Sequence, residues 1–214
     1  MVNKYIQQLI DQGEHEQLDF KFEISDAKKI ARTCSAFANT KGGKLLIGVK
    51  DNGTIAGIRT EEEEYMIESA AHIFCRPRVE YRVTSWQVDG KQILEITIEE
   101  SVTKPHLAPW KADQWRAFIR IKDENFVANS IQVAVWKKLH TETPTLVKYK
   151  KQEELLLQYL RSHDNISLNQ FCKMGKLKYP IAKKIMVNLI TIGVLKIEYL
   201  DNIAVYQLDN ENVI

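Results

Sequence analysis

Between Asp164 and Glu198 the chain carries no acidic residue, while Lys173, Lys176, Lys178, Lys183, Lys184 and Lys196 supply six positive charges. Unbalanced ammonium groups at this density suit phosphate. Each one that meets a phosphodiester releases condensed counterions, so a handful of contacts gives strongly salt-dependent affinity. Equipment for reading bases is thinner. Arginine is absent from Asp164 onward, which removes the commonest guanine contact and leaves Asn165, Asn169, Gln170, Asn188 and the lysines. The competing reading is a protein-contact surface that the lysines merely keep soluble; the local charge favours phosphate.

The elements that must present these lysines follow from the pattern around them. Leu156, Tyr159 and Leu160 mark a helix over Glu153 to Arg161, Ser167 caps a short helix through Phe171, and Pro180 opens a third that ends at Gly193. Ile181, Ile185, Leu189 and Ile192 are expected to line the inner face of that third helix. Two strands, Leu195 to Tyr199 and Ile203 to Leu208, turn at Leu200-Asp-Asn202. Three helices and a hairpin resemble a winged helix, whose turn and third helix sit in or beside the major groove. A winged helix-turn-helix domain is therefore expected over 148–214, behind a linker from Thr141 to Lys151.

The remaining sequence gives no global case for a polyanion partner, since the formal net charge is only +2. Cys34, Cys75 and Cys172 lie far apart, without zinc spacing, and read as reduced thiols. No window approaches ~18 uninterrupted apolar residues, and the N-terminus lacks a signal-peptide core, so a cytoplasmic protein without membrane contact is expected.

In the first part, Tyr5, Ile6, Leu9 and Ile10 share a helix face over Asn3 to Gln12. Leu18, Phe20 and Phe22 alternate with Asp19 and Lys21, the period of a strand with one charged face. A helix is predicted over Asp26 to Ala38 with Ser25 as its cap. Leu45 to Val49 reads as a strand buried on both faces, returned by Asp51-Asn-Gly53 as a central hairpin through Ile58. Thr60 to Glu63 has the capping-box pattern for a helix to about Phe74. Asp89-Gly90 joins two strands, Glu80 to Val88 and Gln92 to Glu99. A long irregular loop over Ser101 to Gln114, a strand over Ala117 to Lys122 and an Asn129-capped helix, Ser130 to Leu139, complete a domain over 1–142.

The order Glu14, Leu18-Asp-Phe-Lys-Phe22, then Ala36-Phe-Ala-Asn-Thr-Lys-Gly-Gly-Lys-Leu-Leu-Ile-Gly-Val49, Asp51-Asn-Gly53 and Gly57-Ile58 resembles the AlbA-like, Schlafen-type DNA-binding domain family. Lys104-Pro105 and Phe118-Ile-Arg120 resemble two further segments of it, with Lys122 where the family has glycine. The resemblance implies an α+β domain with a mixed sheet and, by analogy with its nuclease members, a Mg²⁺ or Mn²⁺ site on Glu14, Asp19 and Asp51 for phosphodiester hydrolysis. Aspartate at 19, where the family usually has glutamate, and Lys50 after the strand depart from that pattern. The plainer alternative makes Asp19 and Lys21 a surface pair and Asp51 a turn residue.

Lys41-Gly-Gly-Lys44 lacks the G-x4-G-K-[ST] spacing and precedes a strand, so its glycines serve the backbone and not a nucleotide. Arg120 and Lys104 are candidates for phosphate contact, with Arg120 equally suited to brace the acidic strand. Trp110 and Trp115 are platforms for a base or for a small loop core, and His106 is expected as a surface histidine. The expected protein is thus α+β, a mixed-sheet domain followed by a small winged helix, and it binds nucleic acid without cofactor or catalysis. Duplex DNA is the partner, RNA an open alternative, homodimerisation open, and transcriptional regulation the role. A Schlafen-like metal nuclease is the second hypothesis.

Overall fold

The computed structural model describes residues 4–58, 62–141 and 150–209. The chain divides into two units, Met1–Ala128 and Asn129–Ile214. Among the described residues no helix is long and apolar enough to cross a membrane.

The first unit is built around a sheet of order β1-β2-β4-β3, formed by β1 (Leu18–Lys21), β2 (Gly43–Ile47), β3 (Arg82–Val88) and β4 (Lys91–Ile98). β1 runs parallel to β2, and the other pairs are antiparallel. Helix α1 (Lys4–Gln12) covers one face, where Ile6, Leu9 and Ile10 pack on Leu18, Phe20 and Leu46. Helix α2 (Ala27–Asn39) covers the other, with Cys34 and Phe37 against Leu45, Ile47, Leu94 and Ile96. Leu45, Leu46 and Ile47 thus alternate between two buried faces, which is why this strand reads as an unbroken apolar run.

A second sheet, β5 (Leu107–Pro109), β6 (Trp115–Ile121) and β7 (Glu124–Val127), is antiparallel and packs on the far side of α2. Flanked by both sheets, α2 buries ten of its side chains from Ala27 to Asn39. Three of those, Thr33, Ser35 and Asn39, are polar, and the last two reach the strands of the second sheet near His106 and Phe118. Asn39 Nδ2 donates to the carbonyls of His106 and Phe118 at 2.8 and 2.9 Å, and its Oδ1 accepts from His106 N at 2.8 Å. Ser35 Oγ donates to His106 O at 2.8 Å and accepts from Phe118 N at 3.2 Å. The two side chains satisfy strand ends that have just left the β5–β6 ladder, whose first pair is Leu107 with Ala117.

Several expectations need correction. Asp26, not Ser25, caps α2, accepting from Lys28 N at 2.8 Å. The central hairpin is a single bridge, Val49 with Ile55, because β4 takes the ladder beside β2. Helix α3 (Glu62–Glu68) loosens into a π-helical turn, Ser69–Ile73, and does not continue as α-helix to Phe74. The capping residue Thr60 lies outside the described residues. The long loop contains β5, and β7 follows the strand expected to be last.

The second unit begins earlier than the sequence suggested. Helix α4 (Ser130–Leu139), capped by Asn129 as expected, does not close the first domain: Ile131 and Val135 join the core of Leu156, Leu160, Phe171, Met186 and Leu189. It is followed by α5 (Lys151–Leu160), α6 (Leu168–Met174), α7 (Tyr179–Thr191) and the hairpin of β8 (Leu195–Leu200) and β9 (Ile203–Leu208). Most of the expected linker, 142–149, lies outside the described residues. Ser167 caps α6 in a reciprocal box with Gln170, bonded at 3.2 and 2.8 Å. The inner face of α7 is rotated from the expected one. Ala182, Ile185, Met186 and Leu189 are buried, whereas Ile181 and Ile192 are 50% and 40% exposed.

Candidate nucleic-acid interface and the acidic cluster

The lysine set lies on α6, the turn and α7. Lys173, Lys176, Lys178 and Lys184 are exposed and Lys183 is half-buried. Lys176 adopts φ 49, a left-handed conformation that turns the chain while Leu177 tucks back onto the core. Among the described residues none of these five ammonium groups has a carboxylate within ion-pair distance, in contrast to Lys196, 3.7 Å from Glu198. The hairpin offers no comparable charge. Its tip, with Asp201 and Asn202 at φ 48 and 63, exposes Leu200 and Ile203.

Asn188, expected to read a base edge, is engaged within the fold: Lys138 of α4 donates to its Oδ1. Neither Lys137 nor Lys138 stood out in the sequence. They lie in the last turn of α4, where cations suit the helix dipole, and the packing of α4 on α7 brings Lys138 to Asn188.

The acidic positions separate. Glu14 Oε1 accepts from Phe20 N at 2.8 Å, which turns its carboxyl toward β1. Asp19 is 3% exposed, because the face of β1 opposite Leu18 and Phe20 meets Arg120 of β6 and not solvent. Arg120 Nη2 lies 3.2 Å from Asp19 Oδ1, and Lys21 Nζ lies 3.0 Å from the same oxygen and 3.8 Å from Glu14 Oε1. Asn125 Oδ1 accepts from Arg120 Nη1 at 3.1 Å, and the guanidinium stands over the Phe37 ring at 5.4 Å. Burial and the neighbouring Asp19 push the Glu14 carboxyl up to about 7. Burial would raise Asp19 too, but its hydrogen bond with Glu14 and the charges of Lys21 and Arg120 hold it below the usual carboxylate range.

Asp51 does not join this pair. It is exposed in the turn after Val49, and among the described residues no group of three or more His, Cys, Asp or Glu side chains is placed to hold a metal ion. Glu14 and Asp19 are hydrogen-bonded to each other and Asp19 is already matched by Lys21 and Arg120, a set that does not fit a divalent cation. Asp19 and Lys21 do pair, with the carboxylate buried and the lysine side chain 36% exposed. Arg120 braces the acidic strand and, at 3% exposure, does not face a phosphate.

The other candidates in this unit are structural. Lys104 is tied to Glu100, with a side chain only 15% exposed. His106 is buried, not at the surface: its Nδ1 is 3.0 Å from Pro77 O and its Nε2 2.7 Å from Ser101 Oγ, and burial holds its pKa below the usual value. Trp110 packs against Phe118 with ring centroids 5.8 Å apart, and Arg76 stacks on Trp115 at 3.8 Å. At Gly42, φ +72, an added Cβ would stand 2.7 Å from Ile98 O, and at Gly43 it would stand 2.6 Å from the Phe37 ring, so the first glycine answers to backbone crowding and the second to that ring.

Residues 14–129 match the protein family described as Schlafen, AlbA_2. Among solved structures, the DIP2311 protein from Corynebacterium diphtheriae is similar at 15% identity and a TM-score of 0.48, covering 74% of this chain. The chain spans only 38% of the length of that protein. The N-terminal domain of an ATP-dependent DNA helicase RecG-related protein from Nitrosomonas europaea is similar at 24% identity and a TM-score of 0.34, over 44% of this chain and 72% of that one. No curated protein matches the chain.

Proposed function

From the premise that the chain belongs to the Schlafen AlbA_2 family, whose match covers more than half of it, we propose that it binds nucleic acid and that its C-terminal unit grips duplex DNA as a winged helix-turn-helix. The observation that carries this reading is the row of lysines on α6, the turn and α7, free of carboxylate partners among the described residues. The connectivity supports it. Ile166, just before α6, exchanges two hydrogen bonds of 2.9 Å with Tyr206, adding a short third edge to the β8–β9 hairpin.

Control of transcription would demand base reading, and the side chains favour backbone contact instead. Arginine is absent from this part of the chain and Asn188 is occupied. The metal-nuclease hypothesis draws no support from the neutralised pair Glu14 and Asp19. Charge reversal of Lys183 and Lys184 to Glu in the full chain tests the reading by duplex-binding anisotropy at low salt. Affinity should fall by more than about tenfold, because two attractive phosphate contacts become repulsive. Unchanged binding would remove the C-terminal unit from the interface.

A further inference from the structure

Helices α4 and α7 run side by side in the same direction. At one end Ser130 Oγ lies 3.2 Å from the Tyr179 hydroxyl, and at the other Lys138 Nζ donates to Asn188 Oδ1. These ties are separated by ~12 Å along α4 and ~13.5 Å along α7 at ~1.5 Å per residue, so the helices stay level between them. Ile131, Val135 and Val187 fill the shared core.

The second tie decides what the open face of α7 can touch. Asn188 and Lys184 lie one turn apart on the stripe that leaves Ile181 and Ile192 exposed, and Asn188 draws the Lys138 ammonium onto that stripe. Burial, and after it the charge of Lys184, lowers the pKa of Lys138. No carboxylate pairs with either among the described residues. A helix-dipole role explains why lysines end α4. It does not explain why one of them is steered to a like charge. An anion placed between the two relieves the repulsion, and a phosphodiester has the size and charge to do so.

The breadth of the pair matters as well. One helix with its side chains is ~10–12 Å across and fills a major groove ~12 Å wide. Two helices packed ~8–10 Å apart exceed it.

We propose that α4 and α7 act together as a ridge that holds the phosphate backbone of duplex DNA, with Lys138 and Lys184 sharing one phosphate and the base edges left unread. This rests on the DNA-binding reading above. The test is fluorescence anisotropy of the full chain with duplexes of unrelated sequence, titrated between about 50 and 200 mM salt, where counterion release is measured. Wild-type affinities should agree within about threefold between duplexes, far from the ~10³-fold or more of a specific binder. Lys138→Gln should reduce the salt slope by about one, and Lys138→Arg should restore it. Lys184→Gln gives the same readout if Lys138→Gln melts early. A slope unchanged in both variants, or strong preference among duplexes, overturns the ridge while DNA binding stands. Absence of any salt-dependent binding by the wild type overturns the DNA reading and the ridge with it.

Discussion

Replacing Arg120 by Met should unbalance the inside of the first unit. Asp19 and Arg120 are each 3% exposed and 3.2 Å apart, so the substitution takes from a buried carboxylate the one of its two counter-charges that is itself buried. Breaking such a pair from one side costs ~3–5 kcal/mol. The lower end applies here, because Lys21 Nζ remains 3.0 Å from the same oxygen, though its side chain is 36% exposed and partly screened. For a unit of 128 residues, Met1–Ala128, an unfolding entropy of ~2.1 cal/mol/K per residue makes ~3 kcal/mol a fall of ~11 °C in melting midpoint. Differential scanning calorimetry of the full chain, with urea melts followed by Trp fluorescence, reads this out. The double variant Asp19→Leu with Arg120→Met should recover most of the loss, since an apolar pair of similar volume carries no desolvation penalty. If Arg120→Met alone lies within ~1 kcal/mol of wild type, the inward brace is wrong.

The Glu14 carboxyl, raised from its ordinary 4.5 to about 7 in the fold, makes stability depend on pH in a defined direction. A group that holds its proton more tightly when folded stabilises fully below about pH 4.5, and that contribution disappears as pH rises through about 7. Asp19, shifted downward, has the opposite sign and acts only in more acidic solution. Urea midpoints of the first unit should therefore decline between about pH 5 and 7.5, and Glu14→Gln should flatten the decline; an unaltered slope in the variant would refute the assignment. Gly42→Ala forces a side chain at φ +72 to within 2.7 Å of a backbone oxygen and should cost more than ~2 kcal/mol in urea melts, whereas Gly90→Ala, at φ +75 with open space around it, should cost ~1. Equal losses would mean that crowding at Gly42 is relieved elsewhere.

Local signals in the sequence were dependable where a backbone preference acts within a few residues. Asn129 before Ser130, Asp89-Gly90 between strands and Asp201-Asn202 at the hairpin tip all carry their geometry in their own residue types. Features set by distant partners were not legible. Strand alternation placed Leu18 and Phe20 on an apolar face, but only the arrival of β6 across α2 shows that Asp19 faces Arg120. β5 and β7 escaped because one is three residues long and ends on Pro109 and the other is short and begins with Glu124 and Asn125, weak strand formers both. Of the six lysines between Asp164 and Glu198, five have no carboxylate partner among the described residues and Lys196 lies beside Glu198, while the approach of Lys138 to Asn188 depends on a helix that the sequence placed in the first domain.

The bonds that Ser35 and Asn39 send to His106 and Phe118 make α2 the template for a sheet it does not belong to. Strand alignment ordinarily depends on the turn that joins two strands, so a change in turn length shifts every facing pair. Here the frame is written on a rigid helix. Insertions or deletions in the segment from Lys111 to Gln114 can therefore alter the rim of the protein while Leu107 stays opposite Ala117.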